Sequence, residues 1–253
     1  GGTGTGKTSF LNVVNLFNPP RRRIVTIEDT PEIRLPATFE NEVGMITTDD
    51  NVEGKGGIAY YELLMNSLRQ RPDLIILQEI RRVAEARVGF EAMKTGHGFA
   101  ATFHATKAKE ALDRLRNDPI NIAEDDLNAL DMIVVLNRNN QTNRRRVVSI
   151  CEVNVEEIGD NRSIESPQIF AYNSREDRLE KQLSVETFYK QIIRKTGMTV
   201  EEIEQDLQEK IGILKWLVDN NLRSQTEVAK VMAMYYDRKG ELLKTIKENK
   251  KSL

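Results

Sequence analysis

Short apolar runs alternate with longer stretches of helical spacing in the first half of the chain. Continuous apolar runs predict strands that are buried on both faces, at residues 24–27, 74–77, 99–103 and 132–136. Between them, residues 59–70, 83–95 and 107–116 have apolar positions at helical spacing and charged outer positions. This alternation predicts an α/β fold with a mostly parallel sheet and helices on both faces.

The second half of the chain has a different pattern. Residues 147–155 and 168–172 predict further strands, the first joined to 132–136 across a polar Asn/Arg turn, as in an antiparallel extension. Helical spacing then dominates in 184–195, in 199–220 after a capping box of Thr199 with Glu202, and after a second box of Ser224 with Glu227. We expect an α/β core over residues 1–178 and a C-terminal helical region over residues 179–253.

Composition limits the class of protein. The 253 residues include 37 basic and 39 acidic side chains, which leave a formal net charge of −2 and argue against wholesale binding to nucleic acid. A single cysteine excludes an internal disulfide framework. The mean hydropathy is −0.49 and the apolar runs are too short to cross a bilayer, so we expect a soluble protein. The lone cysteine fits a reducing cytoplasm.

The most specific motif is Gly-Gly-Thr-Gly-Thr-Gly-Lys-Thr at residues 1–8, here called the phosphate loop. It matches G-x-x-x-x-G-K-[ST] in full. In loops of this sequence, the backbone N–H groups surround the phosphates of a bound nucleotide. The residues predicted to bind ATP are Gly2, Thr3, Gly4, Thr5, Gly6, Lys7 and Thr8, and the Thr8 hydroxyl is also predicted to bind Mg²⁺. The strand that normally leads into such a loop does not precede Gly1.

Charged side chains follow three of the predicted strands. Glu28 and Glu32 follow residues 24–27, Glu79 follows 74–77, and His104 follows 99–103. Ligands in parallel sheets bind at the carboxyl ends of the strands, so we expect these side chains to lie at the edge that carries the phosphate loop. Glu79 is then placed to bind Mg²⁺ through water.

The remaining candidates admit structural alternatives. The chain has two histidines, His97 and His104, on either side of one predicted strand, and either can be a structural residue or a functional one. Each candidate arginine can be a surface charge or a group that reaches a phosphate, and the candidates are Arg69, Arg71, Arg81, Arg82, Arg114 and Arg116. The runs at 21–23 and 144–146 predict solvated loop faces.

The ordered motifs resemble one family. The phosphate loop, the segment Ile-Glu-Asp-Thr-Pro-Glu at 27–32, the segment 68–73 leading to Glu79, and the two-histidine box are similar to the secretion ATPase superfamily. Its members are hexameric motors of type II secretion, type IV pili, conjugation and the archaellum. Residues 30–36, Trp216 and the Tyr235–Tyr236 pair resemble the archaeal pilus and archaellum branch.

The resemblance implies a RecA-like ATPase core, a homo-oligomeric ring and a polytopic membrane platform protein as partner. It also implies a cytoplasmic location that is peripheral to the inner face of the cell membrane. The residue roles that it implies are a general base at Glu32 with Glu28 as its acidic neighbour, the Walker B carboxylate at Glu79, a histidine box at His97 and His104, and a nucleotide-contacting arginine at Arg69 or Arg114.

Two departures from the family pattern leave alternatives open. Gln78 stands where the family has glycine before the Walker B glutamate, and Arg82 replaces a small or acidic residue. One alternative is therefore a weakly hydrolysing regulatory subunit, for which restoring glycine at position 78 should raise turnover. The other is a RecA-like nucleic-acid translocase. Because the leading strand and the family's N-terminal domain do not precede Gly1, we expect the chain to be the C-terminal part of a longer protein.

Overall fold

The first sheet is parallel and positions the candidate site. The structure is a computed structural model that describes residues 1–49, 57–158, 161–183 and 186–248. The strands of this sheet are Ile24–Glu28 (β1), Glu42–Ile46 (β2), Leu74–Leu77 (β3) and Gly98–Ala101 (β4), in the order β2-β1-β3-β4. Ile24 pairs with Leu74, and Leu74 pairs with Gly98, so β1, β3 and β4 begin and end together. The edge strand β2 was missed from the sequence because Gly44 interrupts its short apolar run.

Helices cover both faces of this sheet, as predicted. Lys7–Asn15 (α1) lies on one face, and Tyr60–Leu68 (α2) and Val83–Lys94 (α3) lie on the other, while Ala108–Arg116 (α4) and the short Glu124–Leu127 (α5) follow β4 along the chain. Leu77 of β3 packs in a cluster with Leu64 of α2 and Val88 of α3, whereas Ile76 packs with Leu16 directly after α1. Successive residues of a strand point to opposite faces, so both faces of β3 are buried. The predicted α/β class is confirmed.

The second sheet is antiparallel. Its strands are Met132–Arg138 (β5), Arg145–Glu152 (β6), Gln168–Asn173 (β9) and Arg178–Lys181 (β10), in the order β10-β9-β6-β5, and Asn154–Ile158 (β7) pairs with Asn161–Glu165 (β8) separately. The predicted antiparallel pairing of these strands is confirmed, including that of residues 132–136 with β6. They form a separate sheet, however, so the prediction that residues 132–136 belong to the parallel sheet was wrong. The predicted strand at 147–155 is divided between β6 and β7 at the buried Val153, whose backbone N–H donates to the Asp131 carbonyl oxygen.

An apolar groove separates the two sheets. Strand β4 is the edge of the first sheet and β5 is the edge of the second, and a cavity of about 310 Å³ lies between them, lined by side chains such as Phe99 and Ile133. Gly1 lies at one end of this groove. Its amino group is 3.4 Å from the Phe103 carbonyl oxygen, and a Cβ added at Gly1 would lie 2.5 Å from the Leu136 carbonyl oxygen. The phosphate loop therefore starts between the ends of β4 and β5.

The C-terminal helices form their own apolar cluster. They are Glu186–Thr196 (α6), Val200–Asp219 (α7), Gln225–Asp237 (α8) and Lys239–Lys247 (α9). Both predicted capping boxes are present, since Thr199 and Ser224 each exchange hydrogen bonds with the glutamate three residues later. The cluster includes Ile213, Trp216 and Met232, and the Tyr236 hydroxyl donates to the Phe17 carbonyl oxygen at 2.5 Å, which joins α8 to the core.

The predicted division of the chain at residue 178 stays a prediction, and the boundary falls within β10, Arg178–Lys181. The predicted helix start at Ser184 and the last residues, 249–253, lie outside the described residues. Across the described ranges, no helix combines the length and the apolar character that crossing a bilayer requires.

Replacing Ile213 with Ala should lower the free energy of unfolding by about 2–5 kcal/mol, because it removes fully buried methyl groups and leaves a cavity between α7 and α8. The matched control is Leu207→Ala on the same helix, where the side chain is 46% exposed and the expected change is within about 0.5 kcal/mol. Urea unfolding followed by circular dichroism measures both. Equal losses in the two variants would contradict the burial that we assign to this face of α7.

Candidate active site

The phosphate loop has the backbone geometry of an anion-binding turn. Gly4 and Gly6 have φ angles of +72° and +91°, in the left-handed region that glycine adopts without strain. Gly6 is the N-cap of α1, so the unpaired N–H groups and the positive end of the helix dipole face the loop. The loop can therefore bind phosphate through backbone groups, as its sequence predicts.

Lys7 bends back over the loop. Its Nζ donates to the carbonyl oxygens of Gly1 and Gly2, both at 3.0 Å. Burial lowers the pKa of Lys7, and the nearby Glu79 carboxylate opposes this shift. Thr5 is buried and its hydroxyl donates to the Gly2 carbonyl oxygen at 2.9 Å, which closes the turn. The ammonium group of Lys7 thus lies over the loop, close enough to the Glu79 carboxylate for the two charges to interact.

The structure brings the ends of β1, β3 and β4 to one edge. Glu28 ends β1, Glu79 follows β3, and His104 follows β4, at the edge where Gly1 approaches Phe103. The Thr102 hydroxyl donates to the Gln78 carbonyl oxygen at 2.6 Å and fixes the end of β4 against that of β3. The expected convergence of these side chains with the phosphate loop is therefore present.

Two cationic or basic groups hold the Glu79 carboxylate. His104 Nε2 donates to Oε1 and Arg81 Nε donates to Oε2, each at 2.7 Å. The NH1 group of Arg81 also lies 2.6 Å from Asp29 Oδ2, and its hydrogen bond with Glu79 raises the pKa of Arg81. Charge-assisted bonds of this kind are among the stronger hydrogen bonds in proteins, so Glu79 has a defined orientation.

Glu28 and Glu32 occupy different environments. Glu28 is 4% exposed, and its Oε2 accepts from the backbone N–H groups of Glu32 and Ile33, both at 2.7 Å. The Glu32 carbonyl oxygen accepts from Asn12 Nδ2 of α1 at 2.9 Å, while the Glu32 side chain is exposed. Glu28 therefore holds the loop on which Glu32 stands, and the Glu32 carboxylate is open to a ligand.

Two predicted site residues lie at the opposite edge of the sheet. His97 precedes β4, and its Nδ1 is 3.1 Å from the Thr95 hydroxyl. Arg69 is the C-cap of α2, before the start of β3. The two histidines lie at either end of one strand, so only one of them can reach the carboxyl edge. Within this chain, the structure does not bring His97 or Arg69 to the phosphate loop. Their roles toward nucleotide stay predictions.

Two arginines of the β5–β6 hairpin were missed. Arg145 Nε donates to the Gly4 carbonyl oxygen at 2.8 Å, and Arg138 NH1 would lie 3.3 Å from a Cβ at Gly4. Arg144 and Arg145 are exposed, as predicted for the run 144–146, but Arg145 begins β6 and is not in a loop, and the hairpin register pairs it with Arg138 beside the phosphate loop. The adjacent arginines, Arg144 and Arg146, pair with Asp177 instead.

Three further residues that the sequence analysis named, Arg114, Arg82 and Gln78, occupy different positions relative to the site. Arg114 lies near the site, since its NH1 donates to the His104 carbonyl oxygen and its guanidinium is 4.8 Å from the centre of the Phe103 ring. Arg82 is exposed at the start of α3. Gln78 is buried, and its side chain bonds to the segment after β1 and to Tyr60.

The donor set fits a nucleotide with Mg²⁺. In the described part of the chain, no group of three or more His, Cys, Asp or Glu side chains is arranged to hold a metal ion. Magnesium in phosphate-loop sites takes most of its ligands from phosphate oxygens and water, so a hydroxyl and one nearby carboxylate suffice. Thr8 in the first turn of α1 would supply the hydroxyl, and Glu79 would act through water.

Fold and site together define a nucleotide-binding protein of the phosphate-loop class. The family model described as Type II/IV secretion system protein matches residues 1–238. Uncharacterized protein MJ1287 of Methanocaldococcus jannaschii is 34% identical over 248 residues, which cover 95% of this chain and 88% of that protein. The chain belongs to the type II/IV secretion system protein family.

Two characterised relatives match more narrowly. The type IV pilus assembly ATPase PilB of Acinetobacter baylyi is 39% identical over 118 residues, which are 46% of this chain and 19% of PilB. The VirB11 ATPase of the Brucella suis type IV secretion system, solved with sulphate, has a TM-score of 0.50 at 26% identity and covers 60% of this chain and 46% of its own. This likeness confirms the RecA-like fold. The chain spans less than half the length of these two relatives.

Replacing Arg145 with Ala should weaken ADP binding about fivefold to tenfold, because it removes a cation beside the phosphate loop. Arg144→Ala is the matched control, since this substitution removes the same charge from the same hairpin. The NH1 group of Arg144 lies 3.6 Å from Asp177 Oδ2. Isothermal titration of the full-length protein measures both. Equal affinities for the two variants would show that Arg145 does not act on the bound phosphates.

Proposed function

We propose that the chain is the ATP-hydrolysing part of a motor subunit that powers a type IV pilus-like or archaellum filament, or a type II-like secretion apparatus. The observation that carries this proposal is the meeting of Lys7, Glu79 and the segment bearing Glu32 at one edge of the parallel sheet, in a chain of this family. A phosphate-binding lysine, a metal-directed carboxylate and an exposed carboxylate are the groups that phosphoryl transfer to water requires.

Each group has a distinct task in this proposal. Lys7 exchanges the carbonyl oxygens of Gly1 and Gly2 for phosphate oxygens, which form stronger charge-assisted bonds. Thr8 would bind Mg²⁺ and Glu79 would orient its water shell, and the ion would supply positive charge to offset the charge that develops on the phosphates. Glu32 accepts a proton from the attacking water, and His104 holds Glu79 in place.

A ring of identical subunits completes the proposal. Tyr61 and Met65 are 45% and 39% exposed, and with Arg69 they lie at i, i+4 and i+8 on one face of α2. Exposed apolar side chains beside an arginine suit a contact between subunits, through which Arg69 and His97 would reach a neighbour's nucleotide. The platform protein in the membrane and a cytoplasmic position at its inner face belong to the same proposal, as does the division of the chain into residues 1–178 and 179–253.

Mg²⁺-dependent ATP turnover by the full-length protein tests the proposal. Lys7→Ala, Glu79→Gln and Glu32→Gln should each lower turnover by about 100-fold or more, because each removes a group that contacts phosphate, the metal's water or the attacking water. Glu40→Gln is the matched control for Glu32→Gln, since Glu40 is also exposed but lies beyond the segment that Glu28 and Asn12 hold. Equal turnover in wild type and the three variants would overturn the proposal.

The nucleic-acid translocase is the alternative from another class. With a formal net charge of −2, the chain offers little general attraction to a polyanion. We expect double-stranded DNA to leave ATP turnover unchanged, within about twofold, between 50 and 200 mM salt. Strong stimulation that falls steeply with salt would favour the translocase instead.

A further inference from the structure

Gln78 is buried beside the candidate active site but its side chain bonds away from it. It directly precedes Glu79 at the end of β3 and is 7% exposed. Its Oε1 accepts from the Asp29 backbone N–H at 2.9 Å and from the Tyr60 hydroxyl at 3.0 Å, and its Nε2 donates to the Thr30 carbonyl oxygen at 3.1 Å. Both lone pairs of the amide oxygen and one amide N–H are thus used.

These bonds are made to the segment that carries Glu32. Residues 29–34, here called the acidic loop, connect the end of β1 to the residues before β2 without regular structure. Gln78 holds its first half, at Asp29 and Thr30. Glu28 and Asn12 hold its second half, through the backbone of Glu32, Ile33 and Arg34.

The same contact extends to Glu79. Asp29, whose backbone N–H Gln78 fixes, lies 2.6 Å from the NH1 group of Arg81. Arg81 in turn donates to the Glu79 carboxylate at 2.7 Å. Displacement of the first half of the acidic loop would therefore move a partner of Glu79 as well as the backbone that leads to Glu32.

We propose that Gln78 is a positioning residue that fixes the acidic loop, so that Glu32 and Glu79 are presented together to the bound nucleotide. The inference rests on the proposed function for its kinetic consequence, although the geometry of the loop is independent of it. It reverses the effect expected if Gln78 merely crowded Glu79: removal of the side chain should lower turnover and not raise it. Glycine at this position would leave the Asp29 N–H and the Tyr60 hydroxyl without the amide that they bond.

Hydrogen–deuterium exchange of the nucleotide-free, full-length protein tests the positioning directly. Gln78→Met keeps the buried volume but makes none of the three bonds, and Gln78→Gly removes the side chain. Both should speed exchange in the acidic loop about tenfold, while Tyr60→Phe, which removes one of the three bonds, should have a smaller effect. Gln182→Ala is the matched control, because that glutamine is exposed directly after β10, away from the acidic loop.

Turnover in the same variants supplies the second readout. Gln78→Met and Gln78→Gly should lower kcat about tenfold or more while KM changes less than about threefold, because the carboxylates are misplaced and the phosphate loop is untouched. Unchanged loop exchange in folded variants, or a raised kcat in Gln78→Gly, would overturn the inference. If both position-78 variants fail to fold, loop exchange in Tyr60→Phe decides: faster exchange supports the inference and wild-type exchange rejects it. A wild type without ATP turnover would reject the proposed function, and loop exchange would still decide the role of Gln78.

Discussion

The parallel pairing of β1, β3 and β4 is the constraint on which the candidate site depends. Because Ile24, Leu74 and Gly98 lie side by side, the three strands end at one edge, and the residues that follow them meet the phosphate loop there. A slip of one residue in any pair would turn the buried side chains of that strand toward the wrong layer of helices. The burial of Ile75, Ile76 and Leu77 on both faces of the sheet therefore fixes the position at which Glu79 leaves β3, although these three side chains contact no ligand themselves.

At that edge, Glu79 and Lys7 already have hydrogen-bond partners. Glu79 bonds to Arg81 and His104, and Lys7 bonds to carbonyl oxygens of its own loop. In the proposed function, binding of nucleotide is then an exchange of partners in a preorganised site and not the assembly of one. The exchange favours phosphate because the carbonyl oxygens that Lys7 gives up are neutral, whereas phosphate oxygens carry charge. Preorganised charges of this kind cost little reorganisation when charge develops during a reaction.

Local patterns predicted much of the fold and of the site, and the misses share a cause. Continuous apolar runs located β1 and β3, and capping boxes located the starts of α7 and α8. Strand pairing is not a local property, so residues 132–136 were assigned to the wrong sheet. Arg145 was missed for the same reason: only the hairpin register brings it to Gly4, 141 positions away along the chain. His97 was included through the resemblance to the family's histidine box, and its role toward nucleotide stays a prediction.

Gln78 shows how a departure from a family pattern acquires its meaning from geometry. In sequence, a bulky residue in place of glycine beside a catalytic-site carboxylate suggests obstruction. In the structure, the side chain of Gln78 turns toward the segment after β1, whereas that of Glu79 turns toward His104, which follows β4. The amide then bonds to the Asp29 N–H and the Thr30 carbonyl oxygen, and a buried polar group with a fixed partner orders the backbone that bears it. Because Thr30 precedes Pro31, its backbone is already restricted to extended conformations, so one side chain is enough to hold this half of the acidic loop.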